Sequence, residues 1–242
     1  MNALILAAGF GTRMGKLSET VAKPLLEVAG KPITSHLAEK LFATGKINSL
    51  TVVSNNYYID QFREWAVEFG RPDVAVLNDG VNTNDTRLGA VADLDFAVGH
   101  TGAREPLFVM AGDNLFEFDF IDMIEFFEGA GTDVVAAYRQ QDVSRLRRTG
   151  VASIDESDRV IRFEEKPAAP DSDLAVPCIY IFRAETLKMV KAYLDEGRNP
   201  DAPGHFIAWL YTLTPLHAFI FDTPMHAVGD AESYDRVKRT LG

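Results

Sequence analysis

Met1-Asn-Ala-Leu-Ile-Leu-Ala-Ala-Gly-Phe-Gly-Thr-Arg-Met14 is the stretch whose reading decides the fold. Residues 3–6 are wholly apolar, with no polar alternation, as in a strand buried on both faces of a parallel sheet. No basic leader precedes the run, and Gly9, Gly11 and Arg13 stop it far short of membrane-spanning length, so it reads as a strand and neither a signal nor a span. A strand that empties into a glycine-rich turn presents backbone N–H groups to an anion, and glycine lets phosphate oxygens approach the backbone. Arg13 in the turn and Lys23 just beyond it add the positive charge that a polyphosphate requires. Taken alone, the glycines also fit an ordinary strand-to-helix turn.

The same texture recurs along the chain. Residues 50–53, 74–77, 107–110 and 134–137 are further short apolar runs, and 35–43, 59–69, 88–98 and 120–127 have helical periodicity and crossover length. This alternation predicts an α/β fold, a mostly parallel, doubly wound, Rossmann-like sheet covered on both faces. After about Tyr138 the chain becomes strand-rich. Residues 150–154 and 159–163 flank Asp155-Glu-Ser-Asp158 as a hairpin would, and 175–182 reads as one strand. Helices are expected over 184–194 and 206–213, the latter opened by Pro203-Gly204, with short strands at 217–221 and 225–228 and a last helix over 232–241. A length of 242 residues suits one domain, 1–242, with halves at 1–138 and 139–242.

Composition narrows the function. Hydrophobic residues at 47% and charged residues at 24% are ordinary for a folded globular chain. The formal net charge of -11 opposes a nucleic-acid or anionic-membrane surface, whereas a small phosphorylated ligand needs only a few local cations. Cys178 is the one cysteine, so no internal disulfide forms, and a reducing, cytoplasmic setting is expected.

Counting separates the glycine loop from two commoner phosphate motifs. A dinucleotide fingerprint needs glycine at position 14, which is Met, so a nicotinamide-dependent oxidoreductase is opposed by spacing. A P-loop ending in Gly15-Lys16 needs glycine at position 10, which is Phe. The five histidines, His36, His100, His205, His217 and His226, show no paired metal-ligand spacing, and there is no Gly-x-Ser-x-Gly elbow.

Several motifs in order carry a wider likeness. Leu6-Ala-Ala-Gly-Phe-Gly-Thr-Arg-Met14, Lys23-Pro-Leu-Leu-Glu-Val-Ala-Gly-Lys-Pro32, Ala111-Gly-Asp-Asn114, Phe163-Glu-Glu-Lys-Pro167 and Gly229-Asp-Ala-Glu-Ser-Tyr234 together resemble the sugar-1-phosphate nucleotidylyltransferases, in particular the glucose-1-phosphate thymidylyltransferase-like enzymes. The resemblance implies an Mg²⁺-dependent enzyme that transfers a nucleotidyl group from a nucleoside triphosphate to a sugar 1-phosphate, releasing pyrophosphate and forming a nucleotide-linked sugar. It implies a nucleotide-binding half and an acceptor-binding half, and leaves association into homo-oligomers open.

By that resemblance Leu6, Ala8, Gly9, Gly11, Thr12 and Arg13 hold the triphosphate, and Lys23 stabilises the reacting phosphates. Asn78 and Gly89 fall in the stretch assigned to the base, Asp113 takes the Mg²⁺ ligand position, and Glu165, Lys166 and Cys178 face the acceptor. Two departures stand out. Ala227-Val-Gly229 lacks the second magnesium carboxylate that relatives carry, with Asp230 or Asp222 as candidate substitutes. Val176-Pro-Cys-Ile179 replaces a Thr-Gly pair, which adds a side chain and removes a donor where a sugar would approach. A smaller acceptor, such as the phosphorylated or phosphonate substrate of a cytidylyltransferase, and a nucleotide-binding regulatory homologue are therefore the alternative expectations.

Overall fold

The computed structural model describes all 242 residues and resolves them into two compact units that are interleaved in sequence. Met1–Arg87, Ala111–Phe120 and Thr223–Gly242 form the first; Leu88–Met110 and Ile121–Asp222 form the second. No helix is long and apolar enough to cross a membrane.

In the first unit Asn2–Leu6 pairs parallel to Ser49–Ser54, from Asn2 opposite Ser49 to Leu6 opposite Val53. Val74–Asn78 continues the parallel sheet on the other edge of Ser49–Ser54. Ala3, Leu4, Ile5, Val52 and Val53 are all at most 1% exposed, so the sheet is covered on both faces, as the unalternated apolar pattern requires. The crossovers are the helices Ile33–Ala43 and Ile59–Phe69. Ile59, Phe62 and Trp65 place the apolar stripe of the second helix in the core, Trp65 Nε1 donates to Ser35 Oγ at 2.9 Å, and Gly70 ends the helix at φ 72°. This unit also contains a two-stranded antiparallel ribbon, Asn114–Phe116 against Met225–Ala227. The helix Ala231–Leu241 follows, opened by a capping box in which Asp230 and Ser233 exchange hydrogen bonds.

The second unit holds the strand-rich part of the chain. Gly150–Ile154 and Val160–Glu165 form the expected hairpin, and Leu216–Ile220 lies parallel to Asp133–Arg139. The single strand expected over 175–182 is two, Leu174–Val176 and Ile179–Phe182. Both pair antiparallel with Asp133–Arg139, but the register slips by two residues between Ala175 opposite Tyr138 and Tyr180 opposite Val135. Pro177 has no N–H to give to a ladder, and its carbonyl instead accepts the Ile179 N–H at 2.8 Å, so Pro177-Cys178 forms a bulge.

Gly89 opens the helix Ala90–Thr101 at φ 96°, and a Cβ there would collide with the Pro200 carbonyl and lie 2.9 Å from the Asp201 Cα. The Pro200 and Asp201 carbonyls accept the Val91 and Ala90 N–H groups at 2.9 and 3.0 Å, closing the helix end. The close approach at Gly89 is therefore to protein backbone. A Gly89→Ala chain is expected to lower the thermal unfolding midpoint by roughly 5 °C or more through left-handed strain and backbone overlap. A midpoint within 1 °C of wild type, measured by calorimetry, would contradict that account.

Candidate active site

The first unit has a cavity of about 270 Å³ at the carboxyl end of the strand Asn2–Leu6, the end at which open α/β sheets take ligands. Leu6, Gly9, Gly11, Thr12, Arg13, Lys23 and Asp113, seven of the sequence-singled residues, line it. Ala8 is buried in the wall behind them.

The glycine loop is built from behind. Asn55, fully buried, donates Nδ2 to the Ala8 carbonyl at 2.9 Å and accepts the Tyr58 N–H at 3.0 Å. Tyr58 in turn donates its hydroxyl to the Phe10 and Ser18 carbonyls, and Met14 N–H binds the Gly11 carbonyl at 2.7 Å. With these carbonyls engaged on the protein side, the loop's amides are the groups left to meet an anion. Gly11 sits at φ 61°, where its missing side chain also avoids Ser18, and a Cβ on Gly9 would meet no atom within 4 Å. The loop is thus anchored on one side and open at Gly9.

Lys23 and Asp113, ninety positions apart, meet here: Nζ donates to Oδ2 at 2.5 Å. Asn114 Nδ2 donates to the other oxygen, Oδ1, at 2.9 Å, and the Asp113 carbonyl accepts the Val228 N–H at 2.9 Å. The Lys23 side chain is 12% exposed and that of Asp113 31%, so the pair is only partly desolvated and opens to the cavity. Gly112 permits this approach, since a Cβ there would press to 3.1 Å on both Ile5 and Pro24. Asp113 is the carboxylate that faces the cavity. One carboxylate with substrate phosphates is a donor set that Mg²⁺ accepts, and no cluster of three ligating side chains exists elsewhere.

The remaining assignments fall elsewhere. Ala227 is exposed on its strand, opposite Asn114. The Asp230 carboxylate accepts the Ser233 N–H at 2.9 Å as a helix cap, which holds its pKa below the usual carboxylate value, and Asp222 belongs to the second unit. Asn78 spends its amide on Asn56 Oδ1 at 2.8 Å. Asn84 and Arg87 also line the cavity; both lie in the stretch from Leu77 to Ala90 that the resemblance assigns to the base, where only Asn78 and Gly89 were singled out.

In the second unit Glu165 ends its strand opposite Gly150 with a side chain 8% exposed, and Lys166 Nζ lies 3.6 Å from Oε1. Lys166 has φ 51°, an uncommon value for a side-chain-bearing residue, and its N–H binds the Thr149 carbonyl at 3.0 Å. Gly204 makes room for the carboxylate, since a Cβ there would fall 2.6 Å from Glu165 Cδ, whereas Gly150 chiefly makes room for the Phe163 ring. Cys178, in the bulge, is half-buried and hydrogen-bonds with the buried Tyr180, whose hydroxyl is pushed well above its ordinary pKa mainly by desolvation.

Desolvation raises the Glu165 pKa above the usual carboxylate value, an effect that Lys166 only partly offsets. A raised folded-state pKa favours the native state below the unfolded value and is lost as pH rises through the folded one. The contribution of Glu165 to stability should therefore fall from about pH 4 toward neutrality, so Glu165→Gln should gain stability relative to wild type as the pH rises to 7. Thermal melts of both chains across pH 4 to 8 test this; parallel profiles would refute it.

A family model described as "Nucleotidyl transferase" matches residues 2–236. Glucose-1-phosphate adenylyltransferases of Desulfitobacterium hafniense and Thermotoga maritima are 25% identical over 256 residues and 26% identical over 250. The alignments cover 96% of this chain but only 62% and 58% of those proteins, so the chain spans about three-fifths of the length of these curated relatives. Among solved structures, a Bacillus anthracis protein described as a glucose-1-phosphate thymidylyltransferase, in complex with sucrose, superposes with a TM-score of 0.84 at 22% identity, covering 100% of this chain and 95% of that one. UDP-glucose pyrophosphorylase complexed with UDP-glucose gives 0.82 at 17%, covering 99% and 97%. These likenesses establish the shared α/β, Rossmann-like fold.

Proposed function

The chain belongs to the nucleotidyl transferase family, and from that premise we propose that it transfers a nucleotidyl group from a nucleoside triphosphate to a sugar 1-phosphate, releasing pyrophosphate and forming a nucleotide-linked sugar. The observation that carries this reading is the Lys23–Asp113 pair set beside an anchored loop with bare glycines at 9 and 11 in one cavity.

In this reading the amides of residues 9–13 and the Arg13 guanidinium hold the triphosphate in place, which removes most of the entropic cost of aligning the acceptor oxygen with the α-phosphorus. Lys23 moves its ammonium from Asp113 to the phosphates and stabilises the charge that grows on the departing pyrophosphate. Asp113, released from Lys23, is the residue to hold Mg²⁺, which when bound neutralises phosphate charge. Asn114 keeps the carboxylate oriented throughout through Oδ1. Glu165 accepts a hydroxyl hydrogen bond from the acceptor, and Lys166 binds its phosphate. The reaction needs no covalent nucleophile, and Cys178 takes none of these roles.

The test is pyrophosphate release from a panel of nucleoside triphosphates set against sugar 1-phosphates, with Mg²⁺ present or chelated. Turnover with at least one sugar 1-phosphate, abolished by chelation, is the expected result. Triphosphate binding with no release by any acceptor would overturn the proposal.

A further inference from the structure

We propose that Arg87 is a third triphosphate-binding cation, one that grips the outer phosphates from the side of the cavity formed by the loop after the strand Val74–Asn78; this rests on the transferase reading above. Asn84 and Arg87 are the two residues of that loop that reach the cavity lined by Gly9, Arg13 and Lys23. The cavity is lined by three cations and one carboxylate, with Asp230 near enough to act on Arg13, in a chain whose net charge is -11. A local excess of positive charge against so acidic a background fits a polyanionic ligand.

The loop is constructed to hold the arginine in place. Asn56 anchors its root by donating its backbone N–H to the Val81 carbonyl at 2.8 Å and Nδ2 to Asn82 Oδ1 at 2.7 Å, while accepting Asn78 Nδ2 at 2.8 Å. This is where the Asn78 amide is used. The next turn closes on itself: Thr83 and Thr86 hydroxyls lie 3.0 Å apart, and the Arg87 N–H binds the Asn84 carbonyl at 3.4 Å. Arg87 Nη1 donates to the same carbonyl at 3.2 Å, which sets the guanidinium over its own turn. A planar fork of five N–H donors matches phosphate oxygens in pairs, where a lysine offers only a point charge. Arg87 is exposed, so its replacement should leave the fold intact.

The experiment is calorimetric binding of three probes, nucleoside triphosphates, inorganic tripolyphosphate and the matching nucleosides, to the wild-type chain, Arg87→Met and Arg87→Lys. Arg87→Met is expected to weaken triphosphate and tripolyphosphate binding by about tenfold or more and to leave nucleoside binding unchanged, with Arg87→Lys recovering part of the loss. Unchanged tripolyphosphate affinity in Arg87→Met would overturn the inference, and so would loss of nucleoside affinity alone, which would place the arginine on the base. The transferase reading fails separately: Arg87-dependent tripolyphosphate binding in a chain that releases no pyrophosphate would retain this assignment and remove that one.

Discussion

Replacing Lys23 with methionine is expected to slow pyrophosphate release by about 10²- to 10³-fold, the usual consequence of removing one preorganised electrostatic contact to a transition state. The side chain is 12% exposed and its ammonium rests on Asp113 at the cavity wall, a position that Arg13 in the glycine loop does not fill. Its backbone is fixed independently of the ammonium: Ala22 N–H donates to Gln61 Oε1 at 2.9 Å, and the Pro24 carbonyl accepts the Thr34 hydroxyl at 2.7 Å. Methionine keeps the aliphatic length and leaves these contacts alone. Asp113 loses one partner but keeps Asn114 and remains 31% exposed to water, so the stability cost should stay within about 1 kcal/mol. Steady-state release assays paired with thermal melts check both halves. Activity within threefold of wild type would remove Lys23 from the chemistry, and a large loss of stability would make the pair structural.

Asp113→Asn should produce a fall of comparable size, with a different signature. The change keeps the side-chain shape and the backbone bond from Val228, and removes the negative charge together with one of the two acceptor oxygens that Lys23 and Asn114 use. Across the ribbon from Asn114 stands Ala227, which has no carboxylate, and Asp230 caps its helix through Oδ1. Turnover should drop by about 10²-fold or more, and the divalent cation concentration for half-maximal activity should rise, because a site with one protein carboxylate has lost it. Mn²⁺ binding followed by paramagnetic resonance in the presence of triphosphate measures the second effect without relying on turnover. Wild-type metal affinity in this variant would show that the metal, if used, is held elsewhere. The Lys23→Met, Asp113→Asn double variant should be no less stable than Lys23→Met alone, since it removes the unpaired charge, and it should regain no activity.

Particular elements show how much of this was legible in advance. The helix Ile59–Phe69 matches its expected bounds because its signals are local: an apolar stripe at helical spacing and a glycine able to take φ 72° at the end. The first strand and the glycine turn were equally plain. The ribbon joining Asn114–Phe116 to Met225–Ala227 was not, since two three-residue strands more than a hundred positions apart carry almost no pattern of their own. The bulge at Pro177-Cys178 was foreshadowed by the proline, yet the run still read as one strand because its flanks are uniformly apolar. Asn78 and Arg87 show the same limit at the cavity: one ends a strand and the other closes the polar loop after it, and the hydrogen bond to Asn56 holds the first in the scaffold while the second lines the cavity.

The sequence by itself determined the alternation of strand and helix, the phosphate-friendly turn with its bare glycines and nearby cations, and the kinship that its ordered motifs announce. These follow from backbone freedom, side-chain polarity and spacing, which each residue carries with it. Packing alone brings Lys23 onto Asp113, makes Gly89 small for the sake of Pro200 and Gly204 for a buried Glu165 side chain, and sets Asp230 at a helix cap. Those outcomes depend on which groups the packed chain brings within bonding distance, and on how much water remains around them.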